Sequence, residues 1–158
     1  MKIQLISASL LLMSLGASAA PNFGDSASAV VTQRIVHRLQ ISKVSDLNFG
    51  EASPGDGPVT VMPGVSENTE NASFEVRGEP SRLYQIILPA NNSVKMLNGN
   101  GGADREILIK EFLSFPARAG TLDGTGKSMI FVGAKRDAIS NKQKVGDYIG
   151  QFYITVVY

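Results

Sequence analysis

The sequence predicts an all-β fold, an antiparallel sandwich of about eight strands. Three observations carry this expectation. Short runs alternate between apolar and polar residues with the period of a strand, at spacings of about 8 to 15 residues. Gly, Asn and Ser cluster between those runs, where turns need them. Apolar stripes at helical spacing are scarce.

Residues 1–19 read as a signal peptide. Met1 and Lys2 give a positive start, an apolar stretch follows to Gly16, and Ala17-Ser18-Ala19 fits the small-x-small cleavage pattern. That stretch is about 14 residues long, short of the roughly 20 that cross a bilayer. Cleavage after Ala19 leaves about 139 residues, enough for one domain with a core. Lys2 leaves with the leader, so 15 basic residues become 14, against 14 acidic ones. A near-neutral chain is a poor match for nucleic acid, which needs a basic surface. No second apolar run is long enough for a span, so no membrane crossing is expected after cleavage.

Residues 20–26 are small and polar and read as a flexible N-terminal segment, ahead of a single β-sandwich domain over residues 27–158. A long alternation opens that domain. Ala27, Ala29, Val31, Ile35, Leu39 and Ile41 share one parity, and Gln33 and His37 interrupt it. At about 15 residues it exceeds an ordinary strand, so two strands, or a strand with an extension, account for it best. Leu47-Asn48-Phe49-Gly50 follows, then a turn around Pro54 and Gly55, and a short strand at Val59 and Val61. Ala72 to Val76 alternates cleanly up to a turn at Gly78-Glu79-Pro80. Leu83 to Leu88 is apolar at both parities and suits a strand covered on both faces. Val94 to Leu97 precedes Asn98-Gly99-Asn100-Gly101-Gly102, the strongest turn signal in the chain. Ile107 to Phe112 is read as strand from its β-like neighbours, and Met129 to Val132 as a buried strand. The chain closes on its strongest β-signal, where Tyr148, Gly150, Phe152, Ile154, Val156 and Tyr158 fall on one face.

The residue inventory points away from catalysis. Cysteine is absent and His37 is the single histidine, which removes thiol chemistry and multi-histidine metal sites. Asn98, Asn100 and Asp104 echo a calcium loop, but Ile109 stands where the chelating Glu belongs. A hairpin turn explains them better. Arg34, Arg38, Arg77, Arg82 and Arg105 are interleaved with acids, as on a solvated face. Without Trp, the four tyrosines read as core and sheet-surface residues more readily than as a sugar platform. No enzyme activity and no cofactor are expected.

Four motifs in order carry a resemblance. They are Asp46-Leu47-Asn48-Phe49-Gly50; Gly78-Glu79-Pro80 ahead of Tyr84 to Pro89; Gly120 to Gly124 leading to Val132-Gly133-Ala134; and Gly146 to Phe152 with Val156 and Tyr158. Together they resemble a family of small exported bacterial proteins carrying an all-β domain of unknown function. That family implies export and no catalytic residues. More loosely, Tyr-x-Gly-x-Phe before an alternating C-terminus is similar to fimbrial subunits built by the chaperone–usher route, whose domains are immunoglobulin-like and pilin-like. This likeness implies a periplasmic chaperone and self-association. The N-terminal extension of one subunit would complete the sandwich of the next by strand addition.

On that resemblance the donor arm is Ala27, Ala29, Val31, Gln33 and Ile35, with Gln33 weakening one pocket. The groove strand is Tyr148, Gly150, Phe152, Ile154, Val156 and Tyr158. Two functions are therefore expected to compete. One is a subunit of a surface fimbria or pilus-like assembly. The other is a self-complete secreted sandwich that binds a surface glycan or an envelope protein. They differ in whether the arm pairs with its own molecule or with a neighbour.

Overall fold

The structure, a computed structural model, describes residues 24–158; the expected leader and its cleavage site lie outside them. The chain divides into two compact units, Met1–Arg34 and Ile35–Tyr158. Residues 24–34 of the first form no strand and are exposed, Val31 at 96%. The alternation beginning at Ala27 therefore becomes strand only at Gln40. Alternation makes a residue suited to a pleated surface, but a strand also needs a partner backbone, and residues 27–39 have no ladder partner among the described residues.

The second unit contains nine strands and no helix among the described residues. They are β1 (Gln40–Ser45), β2 (Val59–Val61), β3 (Ala72–Arg77), β4 (Leu83–Ile87), β5 (Val94–Leu97), β6 (Glu106–Phe115), β7 (Ala119–Thr121), β8 (Lys127–Arg136) and β9 (Thr155–Val157). The larger sheet runs β1-β3-β8-β6-β5, and the smaller β7-β4-β9. All pairs are antiparallel. β8 is long enough to hold two partners on one side. β3 pairs with residues 127–132 and β2 with residues 134–136. Gly133 sits at the handover, where a Cβ would run into the backbone of residues 61–63.

One apolar cluster joins the two sheets. Ala72, Val76, Ile109, Phe112, Ile130, Val132 and Ala134 come from the larger sheet, Tyr84 and Ile86 from β4, and Leu122 from just past β7. Burying side chains such as Val76 and Ile130, both at 0% exposure, stabilises the fold by about 1.5 to 3 kcal/mol each. A β-bulge in β6 makes one face out of an irregular apolar pattern. The register steps from Ile109 opposite Arg136 to Glu111 opposite Lys135, which leaves Lys110 as the extra residue. Ile107 and Ile109 face inward before the bulge and Phe112 after it, so all three are buried despite their change of parity.

Two strand expectations are corrected. Leu83 and Ile87 are exposed at 69% and 51%, so β4 is covered on the Tyr84–Ile86 face alone. The C-terminal ladder is shorter than the alternation suggests. Ile149 forms an isolated bridge with Leu97, and regular pairing resumes only at Thr155. The parity nevertheless holds, since Phe152, Ile154 and Val156 pack on the core while Tyr153, Thr155 and Val157 face out. β7 is an additional strand that its small residues did not signal.

Candidate assembly groove

The C-terminal segment crosses from one sheet to the other. It leaves the edge of the larger sheet at the Ile149–Leu97 bridge and joins β4 of the smaller sheet at β9. Gly150 is required at the crossing, because a Cβ there would lie 2.7 Å from the Lys95 carbonyl oxygen. Residues 150–153 make no backbone hydrogen bond to another residue among those described. β9 is an edge strand, paired only with β4. An edge of this kind offers a row of free donors and acceptors to another strand.

Beside it lies an open cleft of about 530 Å³. Phe74, Met96, Ile109 and Phe112 of the larger sheet form its floor. Leu47 and Phe49 wall one side, and residues 148–153 the other. Phe152 stands over the floor, edge-on to Phe74 at 6.1 Å between centroids and tilted on Phe112 at 4.9 Å. The smaller sheet has three strands against six in the larger, and β9 does not reach the cleft.

Of the expected groove residues, Tyr148, Gly150 and Phe152 line this cleft, and Ile154, Val156 and Tyr158 lie beyond it. Tyr148, Phe152, Ile154 and Val156 are half-buried and point inward. Tyr148 Oη donates to the Lys144 carbonyl at 2.7 Å and accepts from Gln143 Nε2 at 3.0 Å. Gly150 is an exposed crossing point that also lines the cleft. Of the expected arm residues, Ala27, Ala29, Val31 and Gln33 lie in the first unit and Ile35 begins the second; all five are exposed and none is in a strand.

Tyr158 does something the alternation did not reveal. Its Oη accepts the Glu79 N–H at 2.6 Å and donates to the His37 carbonyl at 3.1 Å. The His37 N–H in turn donates to the Glu79 carboxylate at 3.0 Å, and the Arg82 guanidinium lies 4.1 Å over the Tyr158 ring. The last residue of the chain thus clasps the root of the arm to the β3–β4 turn. Gly78 is obligatory there, since a Cβ would overlap the Tyr158 hydroxyl. The turn between β7 and β8 supports the same end of the domain. Asp123 Oδ1 accepts the Thr125 and Lys127 N–H groups and the Thr125 hydroxyl, and Gly78 N–H donates to the Gly126 carbonyl. The Lys127 N–H bond first, with those from Thr125, holds the Asp123 carboxyl below its ordinary range.

Other polar residues are structural. Tyr84 Oη donates to Ser128 Oγ at 2.9 Å, and burial pushes the phenol up from its usual value. Asn71 is fully buried and donates to the Pro63 and Ser66 carbonyls while accepting from Asn68 N–H. Among the described residues, no group of three or more His, Asp or Glu side chains is placed to hold a metal. No helix of the described residues is long and apolar enough to cross a membrane.

A family model described as a domain of unknown function, DUF4402, matches residues 39–158, and the chain belongs to that family. The match begins at Leu39, so the arm lies outside it. No curated protein and no solved structure matches the chain.

Proposed function

We propose that this protein is an exported structural subunit, without catalytic activity, that polymerises by strand addition into a surface fimbria or pilus-like fibre. The leader is cut after Ala19, a periplasmic chaperone holds the subunit in transit, and the two sheets form an immunoglobulin-like, pilin-like sandwich that lacks one strand. The observation that carries this reading is a match within one chain. Residues 27–35 carry an apolar alternation that is exposed, and residues 150–153 form an edge without backbone partners among the described residues, beside a cleft with an apolar floor. Seating Ala27, Ala29, Val31 and Ile35 there would contribute up to about 1.5 to 3 kcal/mol for each large side chain, in addition to main-chain pairing. Gln33 would sit in the least apolar position.

Chain geometry favours a neighbour as acceptor. β1 starts opposite Arg77, at the end of the domain where Tyr158 clasps His37, while the cleft opens past the other end of β1, at Leu47 and Phe49. Filling its own groove requires the arm to reverse near residues 35–39. No Gly, Pro, Asn or Asp occurs between Ser26 and Ser45 to make that turn. A head-to-tail contact that does not close on itself propagates as a fibre.

The test compares mature protein with and without residues 20–35 by size-exclusion chromatography and negative-stain microscopy. Full-length mature protein assembles, and the shortened form stays monomeric. Two folded monomers of equal stability that never polymerise would sink the proposal. The second reading, a self-complete secreted domain that binds a surface ligand, draws on a second cleft of about 510 Å³ behind Phe49. A glycan array with hits and no filaments in situ would favour it.

A further inference from the structure

The second cleft is lined by a buried cation that forms no ion pair among the described residues. Arg136 ends the inward row Ile130, Val132, Ala134, Arg136 on β8 and is 3% exposed. It is the one Asp, Glu, Lys, Arg or His side chain buried among the described residues. Its Nη1 donates to the Gly57 carbonyl at 2.9 Å and to the Asp137 carbonyl at 3.0 Å. Among the described residues it forms no ion pair. Nε and Nη2 have no protein acceptor, yet no buried nitrogen or oxygen is left sealed without a partner. Neither N–H group is therefore fully sealed, and Arg136 lines the second cleft.

We propose that this cleft binds a small organic monocarboxylate, with the carboxylate on the free N–H groups of Arg136. Nε and Nη2 lie on one side of a planar fork whose spacing matches the two oxygens of a carboxylate. A buried charge is costly unless paired, so a carboxylate entering here removes a penalty the fold carries without it. Gln143, 8% exposed, uses its amide nitrogen on the Glu106 carbonyl and Tyr148 Oη, and its amide oxygen remains available to a ligand hydroxyl or N–H. Met96, Ile107 and Ile139 give the rest of the cleft an apolar lining suited to a ring or short chain. Glu51, Asp147 and Lys144 also line it, so the cleft carries charges of both signs around Arg136.

Benzoate and its neutral isostere benzamide are the probes, titrated into the full mature chain while the Arg136 Nε–H resonance is followed by NMR. Benzoate shifts that resonance saturably and benzamide does not. Arg136→Lys keeps the charge but loses the fork and weakens benzoate about tenfold. If this variant fails to fold, the contrast between benzoate and benzamide on the native chain still decides. Equal behaviour of the two probes, no saturable shift with benzoate, or undiminished binding by folded Arg136→Lys would overturn the proposal. Filament formation plays no part in this readout, so the assembly reading stands or falls separately.

Discussion

Replacing Tyr158 by Phe removes one oxygen and leaves the ring, which isolates the clasp. Two hydrogen bonds are lost, from Glu79 N–H at 2.6 Å and to the His37 carbonyl at 3.1 Å. Each is worth about 0.5 to 1.5 kcal/mol net. Tyr158 is 40% exposed, so water takes over part of both bonds, and the expected loss is near the bottom of the summed range, about 1 kcal/mol. The Arg82 contact survives because the ring face remains. Tyr158→Ala loses that as well, adding about 0.5 to 1 kcal/mol. Urea titration measures the stability of the three proteins. Limited trypsin digestion measures the clasp itself, since Arg38 lies next to His37 and Arg34 lies above it in the arm. Cutting after Arg34 is unchanged, and cutting after Arg38 speeds up in Tyr158→Phe. Unchanged stability together with unchanged cleavage at Arg38 would show that the clasp does not hold the arm root.

Three other outcomes follow from the same geometry. Phe152→Ala removes the side chain that stands on Phe74 and Phe112; because Phe152 is half-buried, the loss is below the full core range, about 2 to 3 kcal/mol by denaturant titration. Gly120→Ala drives a methyl into the Tyr84 ring across the β4–β7 pair and costs about 1 to 3 kcal/mol, while the exposed Gly124→Ala leaves the urea midpoint close to native. The depressed Asp123 carboxyl stabilises the fold at pH above its unfolded value, and this contribution is lost as pH falls through the lower folded value. Asp123→Asn therefore flattens the acid limb of a stability–pH profile, and a limb identical to native would exclude that role.

The groove and the clasp also explain how one chain end serves two purposes. Tyr148, Gly150 and Phe152 of the C-terminal segment line the cleft, and its last side chain anchors His37 at the opposite end of β1. Asn71 plays a comparable role for the loop between β2 and β3, where one buried amide satisfies three backbone groups.

The sequence by itself determined the all-β class, most strand positions, and which parity of the C-terminal segment faces the core. Those features depend on residue spacing and turn chemistry, which are local. It could not separate residues 27–39 from a true strand, because a ladder depends on a partner backbone that alternation does not specify. It could have placed Arg136 inward, by carrying the row from Ile130 two steps past Val132, but nothing local showed that the guanidinium lacks a carboxylate. The meeting of Tyr158, Glu79 and His37, the packing of Phe152 on Phe74 and Phe112, and the unpaired edge at residues 150–153 were decided by tertiary structure alone. Each depends on segments far apart in the chain, brought together by the order of the strands in the two sheets.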